Sequence, residues 1–163
     1  MNKNGKHTEF HKNGQKRSEE NFKDGKLDGL QTHWYENGQK VTEGTYKNGK
    51  RNGKFTVWEK NGLKSCEYNF KDGLPNGKGF LWSENGVILE ETTWKNNLLD
   101  GKSPTRYENG NKKSEGNFKD NKLDGFWAGW HENGQKSYEE TYKDGELISK
   151  KCWDWNGNER GPY

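Results

Sequence analysis

The sequence predicts an all-β protein: an elongated single-layer antiparallel β-meander of about six and a half hairpin repeats. Three observations predict it. An Asn-Gly dipeptide recurs every 24 residues, and its glycines are Gly14, Gly38, Gly62, Gly86, Gly110 and Gly134. Other glycines, aromatic residues and glutamates keep the same period. Alanine, the best helix former, occurs only once, whereas glycine occurs 22 times, which argues against helices.

Composition excludes a protein with a thick aliphatic core. The mean hydropathy is −1.53, and charged residues make up 33% of the chain. Disordered segments share those properties, but they have few aromatic residues and a high net charge. This chain has eight Trp, seven Tyr and seven Phe, a net charge of only +3 and a strict repeat. We therefore expect a thin fold held together by rings and cross-strand contacts.

Two turns divide each repeat into two strands. In the repeat at residues 29–53, Asn37-Gly38 is predicted to form a type I′ hairpin turn, because both of its residues tolerate positive φ. Asn48-Gly49 marks the return turn. Two turns per repeat leave strands of about eight residues, and about thirteen strands in the whole chain.

These loop lengths also predict the register of the strands. A two-residue turn at Asn37-Gly38 places Thr32 opposite Glu43. It also pairs Tyr35 with Lys40, Trp34 with Val41, and Gly29 with Tyr46. A four-residue return loop would set Tyr46 against Gly53 as well, so that the repeats stack without slip.

An aromatic series follows the repeat and is predicted to be structural. Each ring would lie between glycines of the two neighbouring strands, flat over backbone that lacks Cβ atoms, an arrangement called aromatic rescue. The members of this series are Phe22, Tyr46, Phe70, Trp94, Phe118 and Tyr142.

The chain is interpreted as one array over residues 1–163, with hairpin turns at 13–14, 37–38, 61–62, 85–86, 109–110 and 133–134. Pro104 lies in a predicted central strand and indicates a bulge or bend there. The final Asn156-Gly157 comes one residue early. We expect residues from about 146 to 163, with Trp153, Trp155 and Pro162, to cap the terminal edge.

A second aromatic column supplies the candidate partner-binding residues. It contains Trp34, Trp58, Trp82 and Trp130, begins at Phe10 and is interrupted by Arg106. Beside it runs a glutamate column that includes Glu43, Glu67, Glu91 and Glu115. The rings either cover an exposed sheet face or form a linear strip that binds a protein, since Trp is a frequent anchor of interfaces. A lysine series (Lys23, Lys47, Lys71, Lys95, Lys119 and Lys143) is predicted to pair with Asp or Asn near the return turns.

Several functional classes are not expected. Basic and acidic residues alternate within each repeat, so the chain lacks the one-sided basic face typical of nucleic-acid binding. No apolar run approaches the ~18 residues of a transmembrane segment. The N-terminus lacks an apolar signal region, which predicts a cytoplasmic protein. His7, His11, His33 and His131 do not converge, and no phosphate-binding or catalytic motif occurs, so we expect no metal, no cofactor and no enzymatic activity.

The unit at residues 35–53 (YENGQKVTEGTYKNGKRNG), seen again at 107–125, resembles the bacterial MORN repeat variant. Proteins built from it include the YwqK-type antitoxin family of toxin–antitoxin systems. The resemblance implies a non-enzymatic scaffold that neutralises a toxin by occluding it, and it carries over no catalytic residues. Two alternatives stay open: glycan binding through the Trp column, as in recognition of a cell-wall polysaccharide, and a membrane-surface scaffold. The edge strands are also a candidate surface for self-association.

Overall fold

A computed structural model of the chain describes residues 3–161. Within that range the protein is all-β and contains no helix, which confirms the predicted antiparallel meander. Sixteen strands belong to one antiparallel sheet, and three short strands form another. The chain divides into two compact units, residues 1–77 and residues 78–163.

The first unit runs in sequence order from hairpin to hairpin. Its strands are β1 (Gly5–Phe10), β2 (Lys16–Lys23), β3 (Lys26–Leu27), β4 (Gly29–Trp34), β5 (Lys40–Lys47), β6 (Lys50–Trp58), β7 (Lys64–Lys71) and the start of β8 (Leu74–Trp82).

The second unit has the same plan, but its strands are more often interrupted. It contains β9 (Ile88–Lys95), β10 (Leu98–Leu99), β11 (Gly101–Lys102), β12 (Thr105–Arg106), β13 (Lys112–Glu115), β14 (Asn117–Lys119), β15 (Lys122–Leu123), β16 (Gly125–Trp130), β17 (Lys136–Lys143), β18 (Glu146–Trp153) and β19 (Glu159–Arg160). Strands β11, β14 and β15 form the small sheet. The described residues therefore contain more strands than the thirteen expected, because several of the predicted strands are split into shorter ones.

The two kinds of turn are the reverse of the prediction. At Asn37-Gly38 only the glycine has positive φ (83°). The Tyr35 N–H donates to the Gln39 carbonyl, and the Gly38 N–H donates to the Tyr35 carbonyl. This is a three-residue loop in which a turn is followed by a glycine bulge, so the predicted type I′ turn is wrong here. The type I′ turn is the return turn, where Asn48 and Gly49 have φ values of 51° and 82°.

The bulge explains which register predictions succeed. Thr32 lies opposite Glu43, Glu43 opposite Thr56 and Thr56 opposite Glu67, so this column does stack without slip. Nearer the turn the extra loop residue shifts the pairing. Trp34 therefore lies opposite Lys40, and its predicted pairing with Val41 is wrong. The predicted pairing of Tyr35 with Lys40 is wrong for the same reason.

The prediction for the aromatic column that contains Tyr46 is half right. Gly29 pairs with Tyr46, and the equivalent pairs Gly5–Phe22, Gly53–Phe70, Gly101–Phe118 and Gly125–Tyr142 also form. On its other side, however, Tyr46 faces Arg51 and not Gly53, because the two-residue turn is followed by a bulge in β6. A Cβ on Gly29 would meet Asn21 and not a ring. Its φ of 108° explains why this position favours glycine.

Rings do cover glycines, but at other positions. A Cβ built on Gly44 would lie 2.4 Å from the Phe55 ring, and one on Gly116 would lie 2.0 Å from the Trp127 ring. Aromatic rescue thus operates in this fold, but two residues along each strand from the predicted pairs: Gly44 faces Phe55, where Tyr46 was expected to face Gly53.

Pro104 interrupts its strand as expected. Ser103 and Pro104 separate β11 from β12, while the Pro104 carbonyl still accepts the Glu91 N–H. Near the C-terminus, β19 pairs only with Cys152 and Trp153 of β18. Pro162, a predicted part of the cap, lies outside the described residues.

The structure has almost no buried apolar side chains. Among the described residues, Ala128 is the one buried hydrophobic residue, with 1% exposure. The other buried positions are mostly polar, including Thr32, Thr56 and Glu67. The polar column beside the tryptophans is therefore the best-protected part of the first unit.

Candidate functional site

The candidate tryptophans end equivalent strands, and several of them have a lysine over the ring. Trp34 ends β4, Trp58 ends β6 and Trp130 ends β16, and each is half-buried. The ammonium groups of Lys16, Lys40 and Lys112 lie 5.7, 5.4 and 5.3 Å from the centroids of these three rings, in that order. These distances are within the range of cation–π attraction. Trp82 ends β8, is also half-buried and lies 5.6 Å from the Phe80 ring between centroids.

The lysine at this position of the repeat also binds a glutamate of the neighbouring column. Lys16 pairs with Glu19, Lys40 with Glu43, Lys64 with Glu67, Lys112 with Glu115 and Lys136 with Glu139. In each pair the glutamate follows the lysine by three positions. A β-bulge at the start of the strand, where the register shifts just after the lysine (between Lys40 and Thr42 in β5), brings both side chains onto one face. We call the recurring arrangement of lysine, glutamate and tryptophan the Lys–Glu–Trp cluster.

Glu67 is the most enclosed member of these clusters. Its side chain is 8% exposed and accepts hydrogen bonds from Lys54 at 2.9 Å and Lys64 at 2.7 Å. The Thr56 hydroxyl donates to it at 3.4 Å. Burial alone would raise the pKa of Glu67, but the two lysine hydrogen bonds outweigh that effect, so its pKa lies below the ordinary value.

The second unit contains the irregular version of this face. Glu91 follows Ile88, which occupies the position of the cluster lysine, and Arg106 replaces the tryptophan. The Arg106 guanidinium donates to the Gly110 carbonyl. Beside Pro104 lie two shallow cavities, of about 310 Å³ next to Glu91 and about 240 Å³ next to Glu115. The candidate residues of this unit thus do not form a uniform row.

Sequence reasoning missed two sets of functional candidates. The first is the cluster lysines, whose contact with both partners depends on the bulge. The second is Trp153, over which Lys136 lies at 5.6 Å. Like Trp34, it precedes the turn glycine by four residues, but the early Gly157 moves it out of the period of 24. Spacing from the following glycine would have identified it.

The predicted lysine–aspartate rows are wrong. Lys47 lies opposite Lys50 and Lys119 opposite Lys122, on the two sides of return turns. The side chains beside these turns are exposed, so the like charges are solvated.

All four histidines have structural partners: His7 bonds the Asn4 carbonyl at 3.2 Å, and His33 lies 3.6 Å from the Glu20 carboxylate. The Nε2 atoms of His11 and His131 donate to the carbonyls of Trp34 and Trp153, at 2.8 and 3.1 Å. Over residues 3–161, no group of three or more His, Cys, Asp or Glu side chains is placed to hold a metal ion. The described part of the chain also has no helix that is long and apolar enough to span a membrane.

The repeat defines the class to which the chain belongs. The MORN repeat variant matches residues 3–24, 27–48, 75–96, 99–120 and 123–144, which is more than half of the chain. The chain belongs to this family. The MORN repeat itself matches residues 43–54 and 115–126. No curated protein matches the chain.

Proposed function

We propose that the chain is a non-enzymatic, cytoplasmic scaffold that binds a protein partner through the Lys–Glu–Trp clusters. The more specific proposal is an antitoxin that neutralises a cognate toxin by occluding it. The family supports a repeat scaffold, and the resemblance of the unit to YwqK-type antitoxins supports a toxin as the partner.

The observation that carries the proposal is the set of contacts within the clusters. Lys40 contacts both Glu43 and the Trp58 ring, so none of the three side chains needs to be ordered by a partner. Binding costs less conformational entropy when the contact groups are already fixed. Half-buried tryptophans with charged neighbours are also the residue types that anchor protein interfaces.

The same contacts favour a protein over a polysaccharide or a membrane. Lysine ammonium groups lie within 6 Å of several ring centroids, where a stacking sugar would have to compete with them. Those lysines are also paired with glutamates. Such paired charges give little attraction to anionic lipids, which favour unpaired polybasic segments.

A growth-rescue assay tests the toxin proposal. A toxin encoded beside this chain would be co-expressed with the wild-type chain, with the Trp34→Leu/Trp58→Leu variant, or with Leu63→Ala. Leu63 is 41% exposed and lies beyond the Gly62 turn, so its variant controls for loss of an exposed apolar side chain. We expect the wild type and Leu63→Ala to rescue growth. The double variant should fail to rescue it, because its affinity for the toxin should fall about thirtyfold.

Circular dichroism would confirm that the double variant is folded. Lys40→Gln gives a milder test, since it removes the cation over Trp58 but retains the ring. Full binding by both variants would reject the Lys–Glu–Trp clusters of the first unit as the contact surface. Failure of the wild type to bind the toxin would reject the antitoxin role. Retention on cell-wall polysaccharide would favour the glycan alternative.

A further inference from the structure

The Asn-Gly turns of the three-residue type share a backbone geometry but differ in what holds the asparagine side chain. In each of them the glycine N–H donates to the carbonyl three residues back, for example Gly38 to Tyr35 at 2.9 Å and Gly86 to Ser83 at 2.9 Å. The glycine φ values are also alike, 83° for Gly38 and 80° for Gly86. The turns therefore form a matched set in which mainly the side-chain contacts vary.

Some asparagine side chains form hydrogen bonds through both the amide oxygen and the amide nitrogen. Asn37 Oδ1 accepts the Gln39 N–H at 3.0 Å, and its Nδ2 donates to the Lys60 carbonyl of the next repeat at 3.1 Å. Asn133 is held in the same way, by the Gln135 N–H and the Trp155 carbonyl. These bonds explain why asparagine occupies a turn position at which it does not adopt positive φ.

Other asparagine side chains form fewer hydrogen bonds. Asn61 keeps one side-chain bond, from the Leu63 N–H to Oδ1 at 2.9 Å. Asn85 makes no side-chain hydrogen bond to any described residue, because the Val87 N–H donates to Ser83 Oγ instead, at 3.1 Å. Asn85 is also exposed. Within the described chain, Asn156 of the last turn is similarly without a side-chain bond.

We propose that Asn85 is a site of spontaneous deamidation, protected far less than its repeat equivalents Asn37 and Asn133. The Gly86 backbone nitrogen attacks Cγ of Asn85, and ammonia leaves with the proton of the Gly86 N–H. The resulting succinimide takes up water at either carbonyl and opens to aspartate or isoaspartate. The reaction needs no oxidant or catalyst. The side chain must rotate toward the glycine nitrogen, and the Gly86 N–H must leave the Ser83 carbonyl, a requirement that the equivalent turns share.

Held side chains must first break their hydrogen bonds, which fixes the expected order of rates. Each neutral hydrogen bond that has to open slows the reaction by roughly two- to twelvefold. We therefore expect Asn85 to react about tenfold or more faster than Asn37 and Asn133, with Asn61 between them. Asn156 should deamidate at a rate similar to that of Asn85. The inference does not depend on the proposed function.

Peptide mapping by mass spectrometry tests this order. The folded chain would be incubated at mildly alkaline pH, and loss of each asparagine amide would be followed over time. The same incubation in urea is the control, since every site is followed by glycine and the rates should converge once the turns are unfolded. Equal rates for Asn85 and Asn37 in the folded chain would overturn the proposal, and so would a rate order unchanged by urea.

A substitution beside the turn supplies a second test. Ser83→Ala removes the hydroxyl that takes the Val87 N–H, which leaves Asn85 Oδ1 as the acceptor available in the turn. We expect the Asn85 rate to fall severalfold, toward that of Asn61, while the Asn37 rate stays unchanged. An Asn85 rate unaffected by Ser83→Ala, in a variant that retains the wild-type circular dichroism spectrum, would contradict the mechanism.

Discussion

Replacing Glu67 by glutamine tests whether the polar column stabilises the first unit. The Glu67 carboxylate is 8% exposed and receives two lysine ammonium groups, and the Thr56 hydroxyl donates to it. Glutamine has nearly the same shape but no charge, so the variant loses both ion pairs without creating a cavity. Glu115 is a matched control, because it has one lysine partner and a side chain that is 44% exposed.

The two variants should differ clearly in stability. Charge-assisted hydrogen bonds to a buried carboxylate are worth more than exposed ion pairs, which contribute ~0.2–1 kcal/mol. Lys54 and Lys64 are 62% and 42% exposed and will be hydrated once unpaired, which lowers the cost. We expect Glu67→Gln to lose about 2 kcal/mol and Glu115→Gln about 0.5 kcal/mol or less. In urea unfolding followed by circular dichroism, 2 kcal/mol corresponds to a midpoint shift of about 1 M.

The pH dependence gives the sign of the effect independently. The folded-state pKa of Glu67 is lowered, so its contribution is fully present above the ordinary value of 4.5. That contribution is lost as the pH falls through the lowered value. The stability gap between wild type and Glu67→Gln should therefore be constant at neutral pH and close in acid. Equal costs for Glu67→Gln and Glu115→Gln, or a gap that persists in strong acid, would refute the reasoning.

Four further substitutions, two of them a matched pair, test other parts of the fold by urea or thermal unfolding. Gly44→Ala should cost about 1–3 kcal/mol, because the new Cβ would lie 2.4 Å from the Phe55 ring and force it to move; a neutral result would contradict the ring-on-glycine contact. Pro104→Thr should raise the thermal midpoint by restoring a backbone donor to an interrupted strand, and a lower midpoint would show that the break is required. Asn37→Asp should cost about 0.5–1.5 kcal/mol through the lost donor to Lys60, whereas Asn85→Asp should be neutral.

The sequence predicts the repeat and the pairing at mid-strand well, because both follow from the period and do not depend on the loop type. Thr32 and Glu43 lie beyond the bulge that follows the turn. A three-residue loop with this bulge leaves them opposite each other, just as a two-residue turn would. Residues next to the turn depend on the loop itself. Asn-Gly fits a two-residue turn with two positive φ values and also a three-residue turn with one, so the dipeptide cannot distinguish them.

The tryptophan and glutamate columns were predicted from the sequence, but their contacts with the lysines were not. The tryptophan and glutamate columns follow from the period, and the structure places Trp58 and Glu43 beside the same lysine. That lysine, Lys40, was not predicted, because its position on this face depends on the bulge. Trp153 was missed because a one-residue shortening of the bulge in β18 takes it out of register. Both failures involve bulges of the backbone, which a strict sequence period does not reveal.

The repeat can dispense with an aliphatic core because its stabilising contacts recur between neighbouring hairpins. Several return turns donate to the preceding hairpin, as Gly49 does to the Leu27 carbonyl at 2.7 Å and Gly73 to the Arg51 carbonyl at 2.8 Å. The asparagine amides and Lys–Glu–Trp clusters add further contacts between repeats. In such an array, stability is close to a sum of repeat and nearest-neighbour contributions. A substitution in one cluster should therefore weaken its own repeat and the adjacent ones, and leave more distant hairpins at their wild-type hydrogen-exchange protection. Uniform loss of protection would mean that each unit unfolds as a single cooperative domain.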